Sequence, residues 1–265
     1  MTPDLRSRIQ QSLGSAYGIE RELGGGAMSR VFVAHEPALN RHVVIKVLSP
    51  DLAEGLSAER FTREVLLVAQ LQHPNIVPVF TAGASDGLPY FVMPYVQGES
   101  LRTMMGHGPL TSKRAIPILR DVAKALAYAH EHGVVHRDIK PDNVLVSHDT
   151  AMVTDFGIAK ALNVAGTHTR SGALTNAGIT LGTPAYMAPE QAAGDPAIDH
   201  RADLYAWGML AYEMLAGEHA FGAKRGMQQL IAAQLTEHPV SLSEKTSAVP
   251  TALAELIMRC LAKDP

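Results

Sequence analysis

Cysteine is nearly absent from this chain, with Cys260 the only one in 265 residues, and aromatic residues make up only 5% of it. One cysteine excludes an internal disulfide framework and fits a reducing compartment. Cys260 reads as a small buried apolar residue on a C-terminal helix rather than a reactive thiol. A large surplus of charge of one sign is also missing. Lys and Arg number 23 against 26 Asp and Glu, which gives a net charge of −3 and a pI near 6.4. That balance supplies no basic surplus for nucleic acid and no acidic tail. No apolar run approaches the length of a membrane span, and Met1-Thr2-Pro3-Asp4-Leu5-Arg6 lacks a signal-peptide core. The chain is expected to be soluble by itself and shows no internal repeat. What it has in quantity is hydrophobic residues, at 46%. With this length they can bury a large core and build two lobes.

The pattern of the first third is β. Tyr17-Gly18-Ile19, Val31 to Ala34 and Val43 to Leu48 read as strands, with turns at Gly24-Gly25-Gly26 and around Glu36 to Asn40. Leu5 to Leu13 reads as a short polar helix. Ser57 to Leu71 has helical spacing, with Phe61, Val65 and Val68 on one stripe, and Pro74 ends it. Ile76 to Ala82 and Tyr90 to Met93 read as two further strands. After Gly98 the chain becomes helical, in Lys113 to Glu131, Arg201 to Leu215 and Thr251 to Ala262. The expectation is an α+β protein with a connector at Met93 to Gly98 between a β-rich part, residues 1–96, and a helical part, residues 97–265. Asn163 to Asn176, polar and rich in Gly, Ser and Thr, reads as a mobile loop.

Two short segments carry the chemistry. His136-Arg137-Asp138-Ile139-Lys140-Pro141-Asp142-Asn143 is followed twelve residues later by Asp155-Phe156-Gly157. Between them Val144-Leu145-Val146 and Ala151-Met152-Val153 read as a hairpin turning at Ser147 to Thr150. Strands that end in Asp and Asn side chains are poor core material and good ligands for a divalent cation and a phosphate. These segments resemble the catalytic loop and the Asp-Phe-Gly motif of eukaryotic-type Ser/Thr protein kinases in their bacterial style.

The resemblance extends from about Tyr17 to Pro265. It implies a two-lobed kinase fold, with ATP in the cleft between a β-rich N-lobe and a helical C-lobe. Gly24, Gly25, Gly26, Ser29 and Val31 match its Gly-rich phosphate loop, with Ser29 replacing the third glycine; a Gly-rich hairpin alone is as readily a flexible turn. Lys46, flanked by Val43, Val44, Ile45 and Val47, meets the problem of a charge in an apolar run, and Glu64 falls on the apolar stripe of its helix. The resemblance pairs the two and brings Lys46 to the nucleotide phosphates. It also gives Val44 and Leu145 to the adenine pocket, Met93 to the gatekeeper position, and the Pro94 carbonyl and Val96 N–H to adenine recognition.

By the same resemblance Asp138 takes or orients the acceptor hydroxyl proton, Lys140 neutralises the moving phosphoryl group, and Asn143 and Asp155 hold Mg²⁺, with Mn²⁺ as a substitute. Lys140 two residues after Asp138 points to Ser and Thr acceptors. Gly182 to Glu190 matches the P+1 loop and the closing Ala-Pro-Glu, with Thr183 bonding toward Asp138 and Lys140. Asp203 is expected to anchor the catalytic-loop backbone, and Arg137 to receive a phosphate on Thr175, Thr180 or Ser171.

His130, His132 and His136 have partial zinc spacing, but Gly133 and Val134-Val135 break a shared helical face. His130 and His132 read as the polar end of a helix, and His136 as packing beside the catalytic loop. Protein acceptors and self-association for trans-autophosphorylation are the expected partners, in the cytoplasm, free or tethered to a membrane anchor in a longer parent. Arg259 to Pro265 resembles the start of a last motif whose arginine, beyond Pro265, would pair with Glu190. A nucleotide-sensing pseudokinase and a small-molecule kinase are the alternatives. The complete catalytic set argues against the first, and the Thr-rich segment with Gly182 to Glu190 against the second.

Overall fold

The computed structural model describes residues 5–25, 29–49, 58–85, 87–156, 184–222 and 226–265, without the side chains of residues 58–62, 64 and 85. Two compact units divide the chain. The first includes residues through Gln72 and Val77–Gln97, and the second takes His73–Ile76 and the described residues from Gly98 onward.

The first unit is a five-stranded antiparallel sheet in the order β1-β2-β3-β5-β4. Its strands are β1 (Gly18–Gly25), β2 (Ser29–Glu36), β3 (Arg41–Leu48), β4 (Thr81–Ser85) and β5 (Leu88–Pro94), with helices α1 (Leu5–Leu13) and α2 (Ala58–Ala69). Val, Ile and Phe dominate β2 and β3, as a pleated, half-buried surface requires. Successive side chains alternate between faces, so register divides the sheet into two surfaces. One carries Phe32, Ala34, Val43, Ile45, Val47 and Val92, which with Ile9 and Leu13 of α1 form one buried cluster. The helix read as polar from sequence thus contributes two core residues. Its polar side chains also fix it locally: Gln10 accepts from Ile19 N and donates to Tyr17 O.

The second unit contains the hairpin predicted after the catalytic loop. β7 (Val144–Ser147) pairs with β8 (Thr150–Val153), and the short β6 (Glu99–Ser100) pairs with β7. Its helices are α3 (Leu101–Met105), α4 (Ser112–Glu131), α5 (Pro189–Ala193), α6 (Arg201–Ala216), α7 (Met227–Thr236), α8 (Leu242–Lys245) and α9 (Thr251–Cys260). α6 buries residues all round, from Ala202 to Leu215, so it is the central core helix. α4 packs on β8 and α6, and α9 packs on α6. Trp207 Nε1 donates to Leu119 O at 3.0 Å, tying α6 to α4.

Ile76 to Ala82 does not form the strand expected of it. Ile76 makes an isolated parallel bridge to Val153, and the strand begins only at Thr81. Pro78 removes a backbone donor midway, which disfavours a continuous ladder there. Gly24 and Gly25 are not turn residues either. They pair with Val31 and Arg30 inside the β1–β2 ladder. Gly26, the Asn163 to Asn176 loop, Thr183 and the candidate phosphosites lie outside the described residues.

Gly98 is required by close approach, since a Cβ there would press into the carbonyl oxygen and carbon of Val146. Both obstacles are backbone and cannot rotate aside. Gly98→Ala is expected to destabilise the chain by about 1–3 kcal/mol, as overpacking does. Urea denaturation of the variant beside the parent checks this.

Candidate active site

The second unit builds a loop around one buried carboxylate. Asp203, on the first turn of α6, is fully buried. Its oxygens accept from His136 N at 2.8 Å, Arg137 N at 2.7 Å and His130 Nε2 at 2.8 Å. These bonds hold the segment before Asp138 in a shape it would not otherwise keep. Arg137 sits at φ 68°, in the left-handed region that non-glycine residues rarely occupy. Gln191 Nε2 adds a bond to Arg137 O at 3.0 Å.

His136 extends the scaffold. It is fully buried, and its Nε2 donates to Thr154 O at 2.9 Å while its Nδ1 accepts from Asp138 N at 3.2 Å. Both ring nitrogens are therefore used, which specifies a neutral ring protonated at Nε2. Its ring meets Phe156 edge-on, with centroids 4.6 Å apart. The histidine expected only to pack thus connects the Asp138 loop to the residue before Asp155. His130 closes α4 and binds Asp203, and His132 caps the helix with Nδ1 bonded to Tyr128 O.

The side chains converge at Asp138. Lys140 Nζ lies 2.7 Å from its Oδ2. Asn143 Nδ2 donates to Asp138 O at 2.8 Å and to Oδ2 at 3.1 Å. Pro141–Asn143 forms a 3₁₀ turn that brings Asn143 back toward Asp138. Thr154 N donates to Asn143 O at 3.0 Å, which sets Asp155 beside it. Asp155 has φ 68°, left-handed like Arg137. Among the described residues no three His, Cys, Asp or Glu side chains gather at metal-binding spacing. Asn143 and Asp155 would each offer an oxygen donor, the kind a hard cation takes together with water and phosphate. Mg²⁺ fits that donor set.

In the first unit, the sheet face opposite the α1 cluster carries several of the remaining candidates. Val31 pairs with Lys46, and Lys46 with Phe91; Val33 pairs with Val44, and Val44 with Met93. Paired and alternate residues share a face, so Val31, Val44, Lys46 and Met93 lie together with Ser29. Pro94 ends β5 and Val96 follows it. Leu145 lies in β7 of the second unit. Glu64 belongs to α2, but its side chain, like Gly26 and Thr183, is outside the described residues.

Sequence reasoning passed over several residues here. Asn75 donates from Nδ2 to Ala151 O and accepts Val153 N on its own carbonyl, both at 2.8 Å, which fixes the strand leading to Asp155. Arg102 bonds Glu213 Oε1 at 2.8 Å and the Tyr186 hydroxyl at 2.5 Å, and Tyr186 also bonds Glu213. Burial, with the Glu213 charge behind it, holds the Tyr186 hydroxyl well above its ordinary range. The signal available in the sequence was Tyr186 itself, an aromatic between Pro184 and the Ala188-Pro189-Glu190 motif.

The protein kinase domain family matches residues 17–265 of this chain. The serine/threonine-protein kinase PknJ of Mycobacterium tuberculosis is 39% identical over 261 residues, covering 96% of this chain and 43% of that protein. Serine/threonine-protein kinase PrkC of Bacillus subtilis is 36% identical over 260 residues, 97% of this chain and 39% of that protein. The chain thus spans less than half the length of these relatives. Among solved structures, the Mycobacterium tuberculosis PknI kinase domain superposes with a TM-score of 0.70 at 29% identity, covering 94% of this chain and 88% of that one. Rad53 in complex with AMP-PNP gives a TM-score of 0.75 at 25% identity, over 94% and 61% of the two chains. The chain belongs to the protein kinase domain family, and the α+β class and kinase fold expected from sequence hold.

Replacing Asp203 by Ala would strand three donors in a dry interior. A loss of about 3 kcal/mol or more is expected at roughly 1–3 per unsatisfied buried group. Urea unfolding followed by tryptophan fluorescence measures it directly, through Trp207 in the same helix.

Proposed function

We propose that this chain is a Ser/Thr protein kinase that transfers the γ-phosphoryl group of ATP to serine and threonine hydroxyls of proteins. The observation that carries the reading is the clustering of Lys140 and Asn143 on one carboxylate oxygen of Asp138. Held through Oδ2, Asp138 can present Oδ1 to an acceptor hydroxyl. The hydroxyl proton passes to Asp138 as its oxygen bonds to the γ-phosphorus, and the bond from that phosphorus to the β-phosphate oxygen breaks to release ADP. Lys140 offers positive charge to the phosphoryl oxygens during transfer. Such reactions need little covalent help, so positioning and electrostatics carry the rate.

Asn143 and Asp155 are the residues that would hold Mg²⁺, which would supply positive charge to the phosphates. In the first unit Gly24, Gly25, Gly26 and Ser29 would cradle the phosphates. Lys46, steadied by Glu64, would reach them as well, while Val31, Val44, Met93, Pro94 and Val96, with Leu145 of the second unit, would take adenine. Thr183 would bond toward Asp138 and Lys140. The partners proposed are protein acceptors and a second copy of the chain for trans-autophosphorylation, in the cytoplasm where ATP is available. Among the described residues no helix is long and apolar enough to cross a membrane.

Control through the segment between Asp155 and Glu190 follows from Arg137. Among the described residues its buried Nε has no hydrogen-bond acceptor, and its Nη2 reaches only Ile198 O, at 3.3 Å. A phosphate on that segment would supply charge and acceptors together.

Asp138→Asn is expected to lower phosphotransfer roughly 100-fold or more, the scale of a lost general base, with ATP binding kept. Transfer of labelled phosphate and calorimetric ATP titration read the two effects separately; near-normal turnover would reject the assignment. For control, a Thr175→Ala, Thr180→Ala double variant should have low activity that prior incubation with ATP fails to raise. Unchanged activity in that variant would remove phosphorylation at those two sites from the account.

A further inference from the structure

Lys263 lies two residues from the last position and is half-buried. Its ammonium has three N–H donors, and three oxygens take them, none a carboxylate. They are Tyr205 Oη at 2.9 Å, Gln234 O at 2.8 Å and Ala233 O at 3.3 Å. The ammonium also lies over the rings of Tyr205 and Phe221, 5.3 and 4.7 Å from their centroids. Burial draws the Lys263 pKa down to about 8, against the attraction of Glu237.

A donor-only group sets the direction of every hydrogen bond beyond it. Because Tyr205 Oη accepts from Lys263, its proton is directed onward, to Gln234 Oε1 at 2.5 Å. That bond fixes which end of the Gln234 amide faces which way. Its Nε2 then donates to Ala185 O at 2.6 Å and to Pro184 O at 3.3 Å. A reversed amide would set its oxygen against two carbonyl oxygens. Gln234 and Tyr205 are both buried, so water cannot easily substitute. A second donor, His219 Nε2, meets Ala185 O at 2.7 Å, and His219 Nδ1 accepts from the backbone N–H of Phe221, whose ring lies beneath the same ammonium.

We propose that Lys263 is a positioning residue for the protein acceptor, acting through Tyr205 and Gln234 on the main chain of Pro184 and Ala185. The proposal rests on the kinase reading, which makes this segment the neighbour of the acceptor. Without the ammonium, the Tyr205 hydroxyl is released to turn toward the Ala233 and Gln234 carbonyls. The Gln234 amide then loses the bond that orients it, and the 184–185 segment loses a fixed donor.

The test is steady-state transfer from ATP to casein by the 265-residue chain and its variants. Lys263→Met is expected to raise the KM for casein by about threefold to tenfold, the worth of one neutral hydrogen bond such as the Tyr205–Gln234 one, with the KM for ATP unchanged. Lys263→Arg, which keeps the donors, should restore it. Gln234→Leu should raise the same KM, and the double variant should be no worse than the poorer single one, because the residues act in series. A Lys263→Met variant with unchanged casein KM, or an equal loss that Lys263→Arg does not restore, overturns the proposal. Should Lys263→Met fail to fold, Gln234→Leu decides alone, since an unchanged casein KM there removes the last link of the relay. A parent chain that phosphorylates neither casein nor itself overturns the kinase reading and this inference with it.

Discussion

The Asp203 carboxylate is the point on which the second unit turns. A carboxylate without solvent is unfavourable by several kcal/mol unless its lone pairs are used. Here two backbone N–H groups and a histidine N–H use them, and two of those donors belong to consecutive residues, His136 and Arg137. Consecutive N–H groups converge on one acceptor only if the chain bends sharply, and Arg137 at φ 68° is that bend. Helix α6 contributes rigidity, since it is buried on all sides and cannot shift without disturbing the core. The strained loop is thus fastened to a deeply buried helix.

From there the order passes by hydrogen bonds rather than by apolar contact. His136 carries it to Thr154, Asn143 carries it to the same residue from the other side, and Asn75 secures Ala151 and Val153. Asp155 follows directly, and it too is left-handed. Two strained residues so close together persist because each is over-determined by its neighbours. Such fastening suits the role proposed for Asp138, because a carboxylate that is to meet a hydroxyl tolerates little displacement.

Much of this was legible from residue type and order. The strands of the sheet, the hairpin at Val144 to Val153 and the long helices follow from apolar periodicity. The Asp138, Lys140 and Asn143 contacts fall where chemistry-bearing residues gather just before a strand. What escaped was of two kinds. Amphipathic α1 reads as polar because only Ile9 and Leu13 of its nine residues are buried in the core, and a pattern that sparse is weak without knowledge of the sheet beneath it. Long-range polar contacts escaped for another reason. Arg102 and Glu213 are 111 residues apart, and Lys263 and Gln234 are 29 apart. Nothing local marks such residues, since an arginine on a short helix or a glutamine on an amphipathic one is ordinary solvent-facing material.

The two supports of the 184–186 segment differ in a way that bears on function. Tyr186 is held by Arg102 and Glu213, an ion pair closed around a phenol. Such a cluster is strong where it is shielded and sensitive to any variant that leaves one charge alone. Pro184 and Ala185 are held through carbonyl oxygens by neutral donors, from Gln234 and His219. Main-chain carbonyls are present whatever the side chains, so this hold is indifferent to the residues it positions, while the Tyr186 hold is specific to a phenol. A segment fixed by both is held at its side chain by one and along its main chain by the other.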